Sequence, residues 1–157
     1  MDTGELISRA SRLRRDLHED ATSPIDIFAL TLAIEGISLF LYPLGDGISG
    51  MCIKSDDTAV IAINSAMSKG RKRFSLAHEL YHYRYGKAGE TAICSSSLSA
   101  SDNDGVERDA DRFASYLLLP PGAYEDRMEA AKAKNGQVKL ADLIWVEQRY
   151  GISHQAM

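Results

Sequence analysis

The chain has 157 residues, 45% hydrophobic and 25% charged, with a formal net charge of −4 at pH 7. That length suits one packed core rather than two full domains. The negative balance offers no global positive field for nucleic acid, and apolar runs such as IAI at 61–63 and YLLLP at 116–120 fall far short of the roughly 20 residues of a membrane span.

Residues 1–20 are charged and lack the apolar segment of a secretory leader, so a cytoplasmic location is expected. In that reducing compartment Cys52 and Cys94 should be free thiols packed as small residues. Arg12, Arg14 and Arg15, and again Arg71, Lys72 and Arg73, form only local basic clusters. Neither direct nucleic-acid binding nor membrane attachment is expected.

In chain order, ELISRASRLRRDLHED carries Leu6, Ile7, Leu13 and Leu17 near helical spacing and predicts a surface helix. SPIDIFALTLAIEG predicts a second, with Ser23 as N-cap, Pro24 in the first turn, Asp26 near the positive end and Gly36 as terminator. From Ile37 the runs become β-branched and aromatic, and the turn-rich GDGISG separates them. A small sheet of three strands follows, over 37–43, 50–54 and 58–63. Helices return over 70–84, over 104–118, after the Pro120-Pro121 pair and over LADLIWVEQRY. The stretch 86–103, rich in Gly, Ser, Ala and Asp, predicts a long loop. The fold class is therefore α+β, in one domain over 1–157: an N-terminal helix within 1–22, a core over 23–120 and C-terminal helices over 121–157.

The chemistry concentrates in RKRFSLAHELYHYRYG, residues 71–86. Residues four apart on a helix lie about 40° from each other around the axis, so His78 and His82 share a face and can converge on one ion. Leu76, Leu80 and Tyr83 lie nearly opposite, which predicts an apolar side for the core and a two-histidine side for a metal. Glu79, one step round, can miss the metal yet reach a water bound to it, as metal-assisted hydrolysis requires. The plainer alternative is a helix with two exposed histidines and a glutamate.

Two histidines leave a hydrolytic site one protein ligand short. VERDADRFASYLLLP supplies a candidate, beginning its acidic positions 25 residues after His82. As a helix it aligns Val106, Ala110, Phe113, Ala114 and Leu117 in an apolar stripe, with Glu107 and Asp111 bordering it on one side. Glu107 can then be the third ligand, while Asp111 accepts the free N–H of a ligating imidazole. Asp109 and Arg112 fall on a solvated face. The alternative for Glu107 and Asp111 is a polar border paired with Arg108 or Arg112.

RFSLAHELYHYRYG followed by ERDADRFASYLLLP resembles the ImmA/IrrE-type metallo-endopeptidases, which pair an R-x-x-F-[ST]-x-A-H-E-x-x-H helix with a later E-x-x-A-[ND]-x-F-A-x-x-L-L-x-P helix. The resemblance is close over 71–120 and loose over 25–157. It implies a zincin-like fold, with a small, mostly antiparallel sheet packed on the His-Glu-x-x-His helix. It further implies a divalent metal, zinc or manganese, held by His78, His82 and Glu107, with Glu79 as general base. The implied substrates are intracellular regulatory proteins, typically helix-turn-helix repressors. It would also extend the last segment into further helix, so the C-terminal region reads as shortened.

For an oxyanion donor the candidates are Tyr83, Tyr85, Tyr124 and His154, none singled out by spacing. The strand over 58–63 is the expected edge for pairing an extended peptide. Two other functions stay open: a non-catalytic, metal-containing anti-repressor or toxin-type binding module, and a hydrolase of small amides. Glu79 argues against the first, because a structural site needs no base.

Overall fold

The computed structural model describes residues 1–95, 104–153 and 156. Helix α1 (Thr3–Asp16) is followed by α2 (Ile27–Leu32), strands β1 (Ile37–Tyr42), β2 (Ile48–Lys54) and β3 (Ala59–Asn64), and helix α3 (Lys69–Tyr85). Strand β4 (Thr91–Ser95) precedes helices α4 (Asp104–Leu118), α5 (Pro121–Asn135) and α6 (Leu140–Tyr150). The α+β class is as expected, and the sheet departs in two ways. It has four strands in the order β1-β3-β2-β4, and the β1–β3 pair is parallel, while β2 runs antiparallel to both β3 and β4. β4 lies inside the stretch that composition assigned to a loop; the rest of that stretch, 96–103, lies outside the described residues.

Helix α1 is less of a surface helix than its charges suggest. Asp2 caps it by accepting from the Gly4 N–H at 3.1 Å, and Leu6, Ala10 and Leu13 are buried against α4. Arg14, read as part of a basic cluster, is 2% exposed. Its guanidinium donates to the carbonyl oxygens of Asp20 at 2.9 Å, Leu117 at 2.7 Å and Ser23, tying α1 to the end of α4. A guanidinium stays charged even when buried, and its burial is tolerated only where such acceptors surround it.

Helix α2 begins later and ends earlier than expected. Asp26, not Ser23, is its N-cap, accepting from the Ala29 N–H at 3.3 Å, and Ala33 is its C-cap. Gly36 instead makes the turn into β1 with φ of 84°, and a β-carbon there would stand 2.6 Å from the Asp57 carbonyl oxygen. That position admits only glycine without strain.

Helix α3 runs through the middle of the molecule. Ser68 caps its start, and every residue from Ser75 to His82 is buried between β2, β3 and α4. The expected division into a core side and an open side therefore does not occur: Leu76 and Leu80 are fully buried, and the face carrying the histidines is buried as well. In α4 the stripe of Ala110, Phe113, Ala114 and Leu117 is fully buried as expected, whereas Val106 is exposed at the first turn. Asp109 is not simply solvated, since it pairs with the Met1 ammonium at 3.0 Å. Tyr150 and Arg73 tie α6 to the start of the core: the Tyr150 hydroxyl donates to the Thr22 carbonyl oxygen at 2.8 Å, and Arg73 donates to those of Ile25 and Tyr150. Among the described residues no helix is long and apolar enough to cross a membrane.

Candidate metal centre

Two helices and a sheet edge meet where His78, His82, Glu107 and Asp111 come together. On α3 the Nε2 atoms of His78 and His82 are 3.1 Å apart, the close approach that four-residue spacing permits. α4 brings Glu107 across, with one carboxylate oxygen 3.1 Å from His78 Nε2 and the other 3.4 Å from His82 Nε2. On the far side of the His78 ring, Nδ1 lies 2.9 Å from an Asp111 oxygen. With Nδ1 turned to that carboxylate, Nε2 is the ring nitrogen that faces His82 and Glu107. Asp109 interacts elsewhere, with Met1 and Arg112.

Glu79 sits beside this cluster and is fully buried. Neither of its carboxylate oxygens has a hydrogen-bond partner among the described residues. Room for it comes from Gly50 on β2, where a β-carbon would be 2.7 Å from Glu79 Oε1 and 3.1 Å from Ile63 Cδ1. The sequence reading missed Gly50; its one signal is a glycine within a strand pattern, which often marks a close approach. It missed Cys94 as well. This β4 thiol is buried, and its sulfur joins the donor atoms of His78, His82 and Glu107 in a group that all lie within 4.8 Å of one another. No local pattern marks Cys94, because its neighbours in the fold come from other elements.

The electrostatics follow from burial and from these contacts. Burial raises the Glu79 pKa to about 7, against the opposing pull of the charge on His78. For His78, burial is the largest influence and acts downward, yet the hydrogen bonds to Asp111 and Glu107 outweigh it and leave the pKa at about 9. His82 is shifted down, by burial first and then by the charge on His78. Glu107 is also shifted down, chiefly by its hydrogen bond to His78. Burial pushes the Cys94 thiol up, and the carboxylates of Glu79 and Glu107 add to that. Titratable groups driven apart in this way, beside converging donor atoms, make this cluster a candidate functional site. The donor set fits a small divalent cation: two imidazole nitrogens, a carboxylate and a thiol converge, with an unpartnered carboxylate beside them.

The other candidates fall elsewhere. Tyr85 is held in an aromatic stack with Tyr81 and Phe113, with the Arg9 guanidinium 4.2 Å from its ring centre. Tyr83 lines a surface hollow of about 460 Å³ with Arg12, Lys54 and Arg84, and Tyr124 packs on the core. His154 lies outside the described residues. Strand β3, the expected peptide-pairing edge, is hydrogen-bonded on both sides and has no free edge; on the side of the centre the edge strand is β4. The second surface hollow, about 420 Å³, is lined by Lys69, Arg73 and residues 148–152 and contains none of the clustered donors.

Comparison with known proteins agrees with this geometry. No curated protein sequence matches the chain significantly. A solved structure described as a Mycobacterium tuberculosis transcriptional regulator shares the fold, with a TM-score of 0.61 at 20% identity over 98% of this chain. The present chain spans 45% of that regulator's length. The sequence profile of the IrrE N-terminal-like domain, peptidase M78, matches residues 22–157. Because that match runs from α2 to the last residue and takes in the whole donor cluster, the chain belongs to this family of metal-dependent peptidases.

Proposed function

We propose that the chain is a metal-dependent endopeptidase that cuts one intracellular regulatory protein, a helix-turn-helix repressor, and that its 157 residues work as a single unit. The observation that carries this reading is Glu79: a fully buried, unpartnered carboxylate set beside three converging donors. Burying such a carboxylate without a hydrogen-bond partner costs several kcal/mol, a cost that packing alone does not explain.

His78, His82 and Glu107 would hold the ion, zinc by preference and manganese as the alternative, with Asp111 fixing the tautomer of His78. Bound there, the ion supplies Lewis acidity to a water and to the scissile carbonyl. Glu79, with its pKa raised to about 7, can accept a proton near neutral pH and return it to the leaving amine. Burial of Glu79, His78 and His82 strengthens the charge interactions among them. An extended substrate would approach along the sheet edge on the Cys94 side, where backbone pairing can align it. The free state of both thiols supports a cytoplasmic setting. The resemblance of residues 71–120 to the ImmA/IrrE-type endopeptidases is the reason to seek the substrate among transcriptional repressors.

The test is incubation of the zinc-loaded protein, and of Glu79→Gln, with candidate helix-turn-helix repressors from the same genome, followed by mass spectrometry. A single cut made by the wild type and absent with Glu79→Gln is expected. An intact repressor bound equally by both proteins would favour the docking alternative. One observation favours that alternative: Cys94 offers a fourth protein donor, and four protein donors are the habit of a structural site.

A further inference from the structure

The three-ligand reading leaves Cys94 without a role, although its placement is specific. Among the described residues, strand β4 stands at the edge of the sheet, hydrogen-bonded to β2 alone. Between Ile48 and Gly50 the register of that pairing shifts, so Ser49 is the extra residue of a bulge, and its hydroxyl donates to the Cys94 carbonyl oxygen at 3.1 Å. Bulges re-aim side chains next to functional sites. Here the bulge sets Cys94 opposite Gly50, the residue whose missing side chain admits Glu79. Cys52 provides an internal control. It is buried on β2 and yet is no member of the donor group, so burial of a thiol near the sheet does not by itself produce the convergence seen at Cys94.

We propose that Cys94 is a fourth protein ligand of the metal, and that β4 thereby occupies the position a hydrolytic water needs, holding the peptidase latent until the strand is displaced. This inference rests on the metal-site reading above. On binding, the thiol releases its proton to solvent and the sulfur bonds as a thiolate; no electron is transferred. Four protein donors close a zinc site, whereas a hydrolytic site keeps one position for water. A base as deeply buried as Glu79 has no task in a permanently closed site, so the two features together describe a centre that opens. β4 suits that movement: it spans five residues, Thr91–Ser95, and among the described residues one ladder of hydrogen bonds holds it. A substrate or partner segment that paired with β2 in its place would carry the thiolate off the metal.

X-ray absorption at the zinc edge of the full zinc-loaded chain tests the coordination without any variant. A sulfur at about 2.3 Å beside nitrogen and oxygen at about 2.0–2.1 Å is expected. A shell of nitrogen and oxygen alone overturns the inference and leaves the three-ligand site standing; failure to bind zinc overturns both. With cobalt in place of zinc, the thiolate-to-cobalt charge-transfer band should appear in the wild type and in Cys52→Ser. It should vanish in Cys94→Ser while cobalt stays bound, and a band that persists there overturns the assignment. Latency is read with acetohydroxamate as a probe of the open position. Cys94→Ser and Cys94→Ala, both checked for folding by circular dichroism, should bind it about tenfold or more tightly than the wild type, because no closed state competes. Equal affinity in all three proteins overturns the latency.

Discussion

The donor cluster has a helical wall and a strand wall, and the two are specified in different ways. On the helical wall, α3 and α4 present His78, His82, Glu107 and Asp111 at four-residue spacings, so each helix pre-arranges its own pair. On the strand wall, Gly50 and Cys94 come from β2 and β4 and meet only because the bulge at Ser49 sets the register. A helical pair survives small shifts of its helix as a rigid unit. A strand pair depends on register, and a slip of one residue turns the side chain to the other face. The helical wall is therefore suited to holding an ion and the strand wall to gating it.

The severest way to break this comparison is Glu79→Gln, which keeps shape and burial but cannot accept a proton. Turnover should fall by about 10²–10⁴-fold with metal content unchanged, measured by single-turnover cleavage and elemental analysis. A rate equal to the wild type's would remove Glu79 from the chemistry.

Next in size is the contrast between Glu107 and Asp111. Glu107→Ala should abolish most of the zinc affinity, whereas Asp111→Ala should cost about 10–100-fold, since it only orients His78. Titration against a competing chelator gives both constants, and a larger loss for Asp111→Ala would exchange their roles. The same titration followed by melting sharpens the point. Zinc at about 100 times its dissociation constant should stabilise the wild type by about 2.7 kcal/mol, and Glu107→Ala should show none of that gain.

Support for the helical wall can be probed from outside it. Arg14→Met leaves the carbonyl oxygens of Leu117, Asp20 and Ser23 without their charged donor and should destabilise the fold by about 3 kcal/mol in urea unfolding. A neutral result would mean that water replaces the guanidinium at all three carbonyls.

The smallest expected effect falls on the strand wall. Gly50→Ala sets a methyl against Glu79 Oε1 and should cost about 1–3 kcal/mol. Adding Glu79→Ala removes the clash and should recover part of that cost, a coupling that a double-mutant cycle isolates. Additive losses would show that Ile63, the other close neighbour, sets the limit at Gly50.

These contrasts follow how much the sequence by itself determined. Helical periodicity is a local property, so the apolar stripe of α4 and the His78–His82 pair could be read from spacing, and α3 and α4 lie within one residue of their expected limits. The meeting of those helices was legible too, because Glu107 and Asp111 border the stripe that must be buried. Caps and strand pairings were less so. Asp26 displaced Ser23 as the cap of α2, and Asp109 found the Met1 ammonium, through contacts that no short window contains. β4 was hidden because five residues at the start of a Ser-rich run carry no clear alternation, and β2 recruits them by pairing. Tertiary structure alone decided that β1 runs parallel to β3, that α3 is buried on every side over Ser75–His82, and that Cys94 reaches the histidines. The physical reason is the range of the forces: a helix satisfies its backbone within itself, whereas a strand takes its partners, and the neighbours of its side chains, from wherever the rest of the chain places them.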